Sequence, residues 1–118
     1  MAATKTAKTL LTSQSLSAST AVNATEWSMT TAYGGLAAVN LTNGGSAPTT
    51  APVVKFYVGE TTGTKRLLYT AAGDTVNSSV NDLVCEIPAS AMFVNITITN
   101  GATNSITVEA YGQELTTI

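Results

Sequence analysis

Histidine is absent from this 118-residue chain, which removes at once the commonest general base and the commonest metal ligand. A Ser-His-Asp or Cys-His site cannot be assembled. The remaining residues that could do chemistry are one cysteine, two aspartates, five glutamates and a single Gly-x-x-x-Gly-Thr-Lys run. That run, Gly59-Glu60-Thr61-Thr62-Gly63-Thr64-Lys65, is one residue short of phosphate-loop spacing, and Arg66 stands where Ser or Thr would hold magnesium. It joins two apolar stretches and reads as a hairpin loop. Asp74 and Asp82 flank one loop and could approach each other as a carboxylate or calcium pair. Beside Gly73 and Asn81 they read instead as caps of Asx turns. Cys85 alternates with Leu83 and Ile87 as a small buried hydrophobe. Being alone, it excludes an intrachain disulfide and makes zinc improbable. Glu86 and Glu109 fall on outward strand positions, where single charges keep edges soluble. No catalytic, cofactor-binding or metal-binding residue is assigned, and no cofactor is expected.

What the chain lacks in chemistry it supplies as surface. Charged residues are 10% of the sequence, against about 25% in ordinary domains. The surface is covered by 22 Thr, 10 Ser and 8 Asn. Threonine is short and stiff, so packing it against a neighbour costs little side-chain entropy, whereas lysine forfeits about 2 kcal/mol. Such a surface suits permanent contact. A net charge of -2 without a Lys/Arg run argues against a nucleic-acid partner. Residues 1–11 carry Lys5 and Lys8 but no continuous apolar segment, so neither a secretory signal nor a membrane span is expected.

The elements follow from alternation. Ala37, Val39 and Leu41 oppose Ala38, Asn40 and Thr42; Val54, Phe56 and Val58 oppose Val53, Lys55 and Tyr57. Leu83, Cys85 and Ile87 form a third face, ended by Pro88. In 92–99, Met92, Val94, Ile96 and Ile98 point inward while Phe93, Asn95, Thr97 and Thr99 point outward. Across the loop 100–104 this pattern is answered by Ile106, Val108 and Ala110, so the spacing predicts a hairpin there and another around 59–63. Residues 1–8 are expected to be a flexible arm, 9–118 a single domain, and 113–118 a polar tail. Six to eight short strands with one wet face each, and no convincing helix, imply an all-β, small antiparallel β-sandwich. Outward aromatics bury much area at little entropic cost, so Tyr57, Phe93 and Tyr111, with Lys55 beside Tyr57, are the candidate interface residues. Phe93 and Tyr111 would make one patch if they lie together.

The stretch 27–118 resembles small β-sandwich structural proteins of tailed-bacteriophage virions. The cues are Ala32-Tyr33-Gly34-Gly35-Leu36 entering a strand, Asn43-Gly44, Pro52-Val53-Val54-Lys55-Phe56-Tyr57-Val58, Ile87-Pro88 and Ile106-Thr107-Val108-Glu109-Ala110. The resemblance implies a non-enzymatic virion protein, foremost a capsid decoration subunit that stabilises the head. Its partners would be the major capsid protein or other virion proteins, with homo-oligomers possible, and neither nucleic acid nor membrane. A tail or head-tail adaptor component is the nearest alternative. A carbohydrate-binding sandwich module is a more distant one, since it would need two or three coplanar exposed rings.

Overall fold

The computed structural model describes residues 4–61 and 63–117. Nine strands and no helix occur among them. They are β1 (Thr4–Leu16), β2 (Ala21–Asn23), β3 (Trp27–Ser28), β4 (Gly35–Asn43), β5 (Val53–Gly59), β6 (Arg66–Ala72), β7 (Val80–Ile87), β8 (Phe93–Thr99) and β9 (Ile106–Thr117). One sheet has the order β1-β9-β4-β7; the other runs β2-β8-β5-β6, with β3 also pairing β8. Every pairing is antiparallel. The molecule is the expected all-β sandwich.

The alternations predict the core well. Val39, Leu41, Val54, Phe56, Ile98 and Val108 are fully buried, and Trp27 and Met29 join them from the short β3 region. Register links the inward sets: Val39 faces Ala110 and Leu83, and Phe56 faces Ile96. Met92 departs from expectation. It precedes β8 and is exposed, because the strand begins at Phe93 and the chain before it is still turning from Pro88.

Two expectations are corrected. Strands β8 and β9 do not form a hairpin: β8 belongs to the second sheet and β9 to the first. The connection, residues 100–105, crosses between layers, so the two apolar faces meet across the core instead of lying side by side. Asn100 turns this corner while buried, its Nδ2 donating to the carbonyls of Leu16 (3.0 Å) and Asn104 (2.9 Å). Gly101 is required there, because a side chain would strike the Thr50 carbonyl.

The second correction concerns the termini. Residues 1–3 of the expected arm, and Ile118, lie outside the described residues. Thr4 to Lys8, however, are strand, paired to the far half of β9, and the expected tail from Gln113 to Thr117 is its partner. Gly35, the first residue of β4, pairs with Glu114, and Leu115 exchanges backbone hydrogen bonds with Tyr33 and Gly34, so the ribbon formed by the ends of β1 and β9 is two-stranded only beyond Leu115. Thr4 and Thr6 in it are exposed, and its stability comes from backbone pairing and β-branched side chains in place of apolar burial.

Candidate functional site

The four predicted interface residues divide between two opposite faces. Lys55 and Tyr57 on β5 and Phe93 on β8 share the outer face of the second sheet, where Lys55 pairs with Thr97, Tyr57 with Asn95 and Gly59 with Phe93. Tyr111 lies on the outer face of the first sheet, opposite Ala38 of β4. Phe93 and Tyr111 therefore do not form one patch: β8 and β9 sit in different layers, and an outward residue on each looks away from the other.

The second-sheet face is partly covered by the chain itself. Lys65 reaches back from the β5–β6 loop to place its ammonium 2.6 Å from Glu26 Oε2 and 5.9 Å from the Phe93 ring centroid. Phe93 and Tyr57 are half-buried, while Lys55 is exposed. On the other face the carboxylate of Glu109, two residues from Tyr111, hydrogen-bonds its phenol and holds that group above its ordinary value.

Exposed apolar side chains gather elsewhere, on the flank where both sheets end. On β6, Leu67 is 53% and Tyr69 49% exposed; on β7, Val80 is 58% and Val84 49% exposed. Val76, in the loop joining them, is also exposed. Tyr69 is half core, stacking on Phe56 with centroids 6.2 Å apart, and it shares a shallow depression of about 290 Å³ with Leu68, Val84, Cys85 and Glu86. The sequence contained a signal for this flank: Leu67, Leu68 and Tyr69 are consecutive apolar residues, and Val80 and Val84 stand on the outward side of β7 beside Asp82, positions that a strand with one wet side does not need apolar.

The titratable groups serve structure. Asp74 Oδ1 accepts from the Val76 amide and Asn43 Nδ2, and Oδ2 accepts from the Ser79 hydroxyl. The Ser79 and Val76 bonds lead in holding its carboxyl below the ordinary value. Asp82 is separately engaged by Asn40 Nδ2 at 2.7 Å. Burial, aided by the Glu86 charge, pushes the Cys85 thiol up, so its nucleophilic form is disfavoured.

Glu114 was not singled out from sequence. It is buried and accepts a 2.7 Å hydrogen bond from Trp27 Nε1, with Lys8 Nζ 3.9 Å away. Extending the inward series Ile106, Val108, Ala110 by two more steps through Gly112 would have found it. A cleft of about 440 Å³ at this end is lined by Lys5, Tyr33, Leu36, Glu86 and Leu115 among others. A second, of about 470 Å³, is lined by Glu60, Arg66, Pro88 and Met92 among others. Among the described residues no three of His, Cys, Asp and Glu gather as a metal site.

No family model matches the chain, and no curated protein does. Solved structures do share its fold. A Bacillus endospore appendage protein, from a family described as disulfide-linked pili, has a TM-score of 0.58 at 15% identity, over 100% of this chain and 93% of that one. The SPBc2 prophage-derived protein YomS has a TM-score of 0.50 at 17% identity, over 96% of each chain. The K3 cleaved adhesin domain of Lys-gingipain from Porphyromonas gingivalis reaches 0.54 at 11% identity, over 79% of this chain and 62% of that one. At such identities the likeness is one of fold.

Proposed function

We propose that this chain is a non-enzymatic structural subunit that works within a larger particle, and specifically that it decorates and stabilises a phage head by binding the major capsid protein. The observation that carries the proposal is the flank where Leu67, Tyr69, Val80 and Val84 are exposed together, on a molecule poor in charge and rich in short hydroxyl side chains. Apolar side chains gathered beside open strand edges favour being covered by protein. The fold neighbours support the particle reading at a coarser level, since one comes from a pilus and another from a prophage. The absence of histidine adds support to the non-enzymatic part, because it removes the commonest general base.

Attachment through apolar and neutral hydrogen-bonded contact is screened little by salt. Titrating bare shells with the purified protein should therefore give saturable occupancy at a symmetry-related copy number that survives about 0.5 M salt. The loaded shells should resist heat better than bare ones. Binding to isolated tails but not to shells would move the subunit to the tail. Binding to neither would sink the particle role.

A further inference from the structure

Strand β1 is held to the sandwich by less than its length suggests. All of its strand pairing goes to one neighbour, β9, and three register shifts interrupt that ladder. Of its 13 residues only Leu10 and Leu16 are buried. Beyond the ladder, the Thr25 amide donates to the Leu10 carbonyl (2.8 Å), and Asn100 Nδ2 donates to that of Leu16 (3.0 Å). One connection, residues 17–20, joins β1 to the strands that follow, crossing from the first sheet to β2 in the second. That connection is short and strained: Ser19 stands in it at a φ of 56°, in the left-handed region where a side chain is crowded. The Ser19 amide donates to the Gly101 carbonyl, 2.9 Å away, and the Thr20 hydroxyl closes the turn on the Ser17 carbonyl (2.7 Å).

We infer that β1 is an exchangeable strand: it leaves its own sandwich by opening residues 17–20 and fills the same place on β9 of a second copy, which returns its own β1 in kind. The occupant is fixed by what β1 leaves behind. Without it the sites of Leu10 and Leu16 in the core are empty, and the side of β9 facing away from β4 is unpaired. Asn100 Nδ2 loses one of its two acceptors, and the buried Glu114 loses Lys8, whose Nζ stands 3.9 Å away. A gap of that ladder, shape and charge matches β1, and another copy carries the same strand. Every contact of β1 then re-forms between copies, so the two states differ mainly at the hinge. There the exchanged form has the advantage, because an extended 17–20 returns Ser19 to an ordinary β-region φ, and short strained hinges favour such exchange.

The edge strands β6 and β7 do not share this freedom, because each is joined to the sandwich at both ends. The hinge lies at the far end of β1 from Thr4, since Leu16 pairs with Ile106, where β9 begins. An exchanged pair is therefore joined through the end that carries residues 17–20 and 100–105. At about 3.3 Å per residue the 13-residue arm spans roughly 43 Å, close to the 48 Å longest extent of the molecule, so each copy is clasped along most of its length. The inference goes beyond the particle role proposed above. It supplies a link between subunits that needs no further protein, and it stands or falls independently of that role.

Exchange requires β1 to detach, so it is read after holding the chain at up to about 1 mM in urea just below its unfolding midpoint and returning it to buffer. Sedimentation velocity should then show a dimer whose share rises with the holding concentration. Ser19→Gly, at ease in the left-handed region, should lower the dimer association constant by at least about tenfold. Ser19→Val, more crowded there, should raise it by a similar factor, about tenfold. Both keep the amide that bonds Gly101. An Ala7→Cys/Gln113→Cys/Cys85→Ala chain separates exchange from any other pairing, because Ala7 and Gln113 are exposed cross-strand partners that a disulfide can bridge. In the exchanged dimer that bridge joins the copies and survives denaturing electrophoresis without reductant; in a face-paired dimer it stays within one chain. A wild-type chain that never dimerises, a dimer whose bridges are all intrachain, a Ser19→Gly chain as dimeric as wild type or a Ser19→Val chain no more dimeric would each overturn the exchange. Exchange intact alongside failure to bind any particle would refute the particle role and leave the exchange standing.

Discussion

Substituting Gly112→Ala probes the junction where the two sheets are tied at one end. The added methyl would sit 2.7 Å from Trp27 Cη2 and 2.9 Å from Cζ2 and Cζ3, well inside ordinary contact. The ring cannot yield easily. It is 2% exposed, and its Nε1 is held 2.7 Å from the Glu114 carboxylate. Overpacking costs about 1–3 kcal/mol. Disturbing a hydrogen bond to a charged group costs up to about 1.5–3 kcal/mol more. Alanine recovers about 0.5–1 kcal/mol over glycine in a strand, since the backbone at 112 is not left-handed. A net loss of about 2–4 kcal/mol is therefore expected, enough to lower a urea midpoint by about 1–2 M without unfolding a domain of ordinary stability. Trp27 is the only tryptophan, so its emission reports the site directly and should shift red. In a Trp27→Phe background the smaller ring should relieve most of the penalty. A Gly112→Ala chain within about 0.5 kcal/mol of wild type, with unchanged emission, would refute this packing.

Ile96→Asp should unfold the domain, since it forfeits about 1.5–3 kcal/mol of transfer energy and buries a carboxylate, whereas Thr97→Asp on the outward side should fold normally. Thermal melts of both read the register of β8; the reverse ranking would invert it. Asp74 has a folded value below its ordinary 3.8, so the stability it supplies is complete above that value and is lost as pH falls through the folded one. Acid melts of Asp74→Asn should lack that part of the decline, and an unchanged acid profile would contradict the Ser79 and Val76 bonds. Hydrogen exchange at residues 5–9 should be slower than in a free peptide and faster than in β4, because that ribbon is paired but exposed. Free-peptide rates there would return these residues to a flexible arm.

The sandwich was legible because burial on one face forces a period of two, and the inward sets of β4, β5, β8 and β9 carry it plainly. Layer assignment was less so. The loop after Thr99 has the length of a hairpin, and nothing local distinguishes a turn within one sheet from a crossing between two; the distinction lies in Asn100, whose partners Leu16 and Asn104 are brought by tertiary structure. The terminal ribbon escaped for the opposite reason, since residues 4–8 are held by their pairing with the end of β9 and have no apolar pattern of their own. Alternation marked each interface candidate as outward on its own strand, but only the pairing of β5 with β8 shows that Phe93 shares a face with Lys55 and Tyr57, and the same layer crossing separates Tyr111 from them. The β6–β7 flank was overlooked because each strand was read singly, and only the fold brings Leu67, Tyr69 and Val84 to one side.

The proposal that this chain is a particle subunit is tested most directly by quantitative mass analysis of particles purified from the cells that make it. Stoichiometric presence at a symmetry-related copy number, retained through a wash at about 0.5 M salt, is the predicted result. Absence from the particles, or a trace amount that the wash removes, would contradict it.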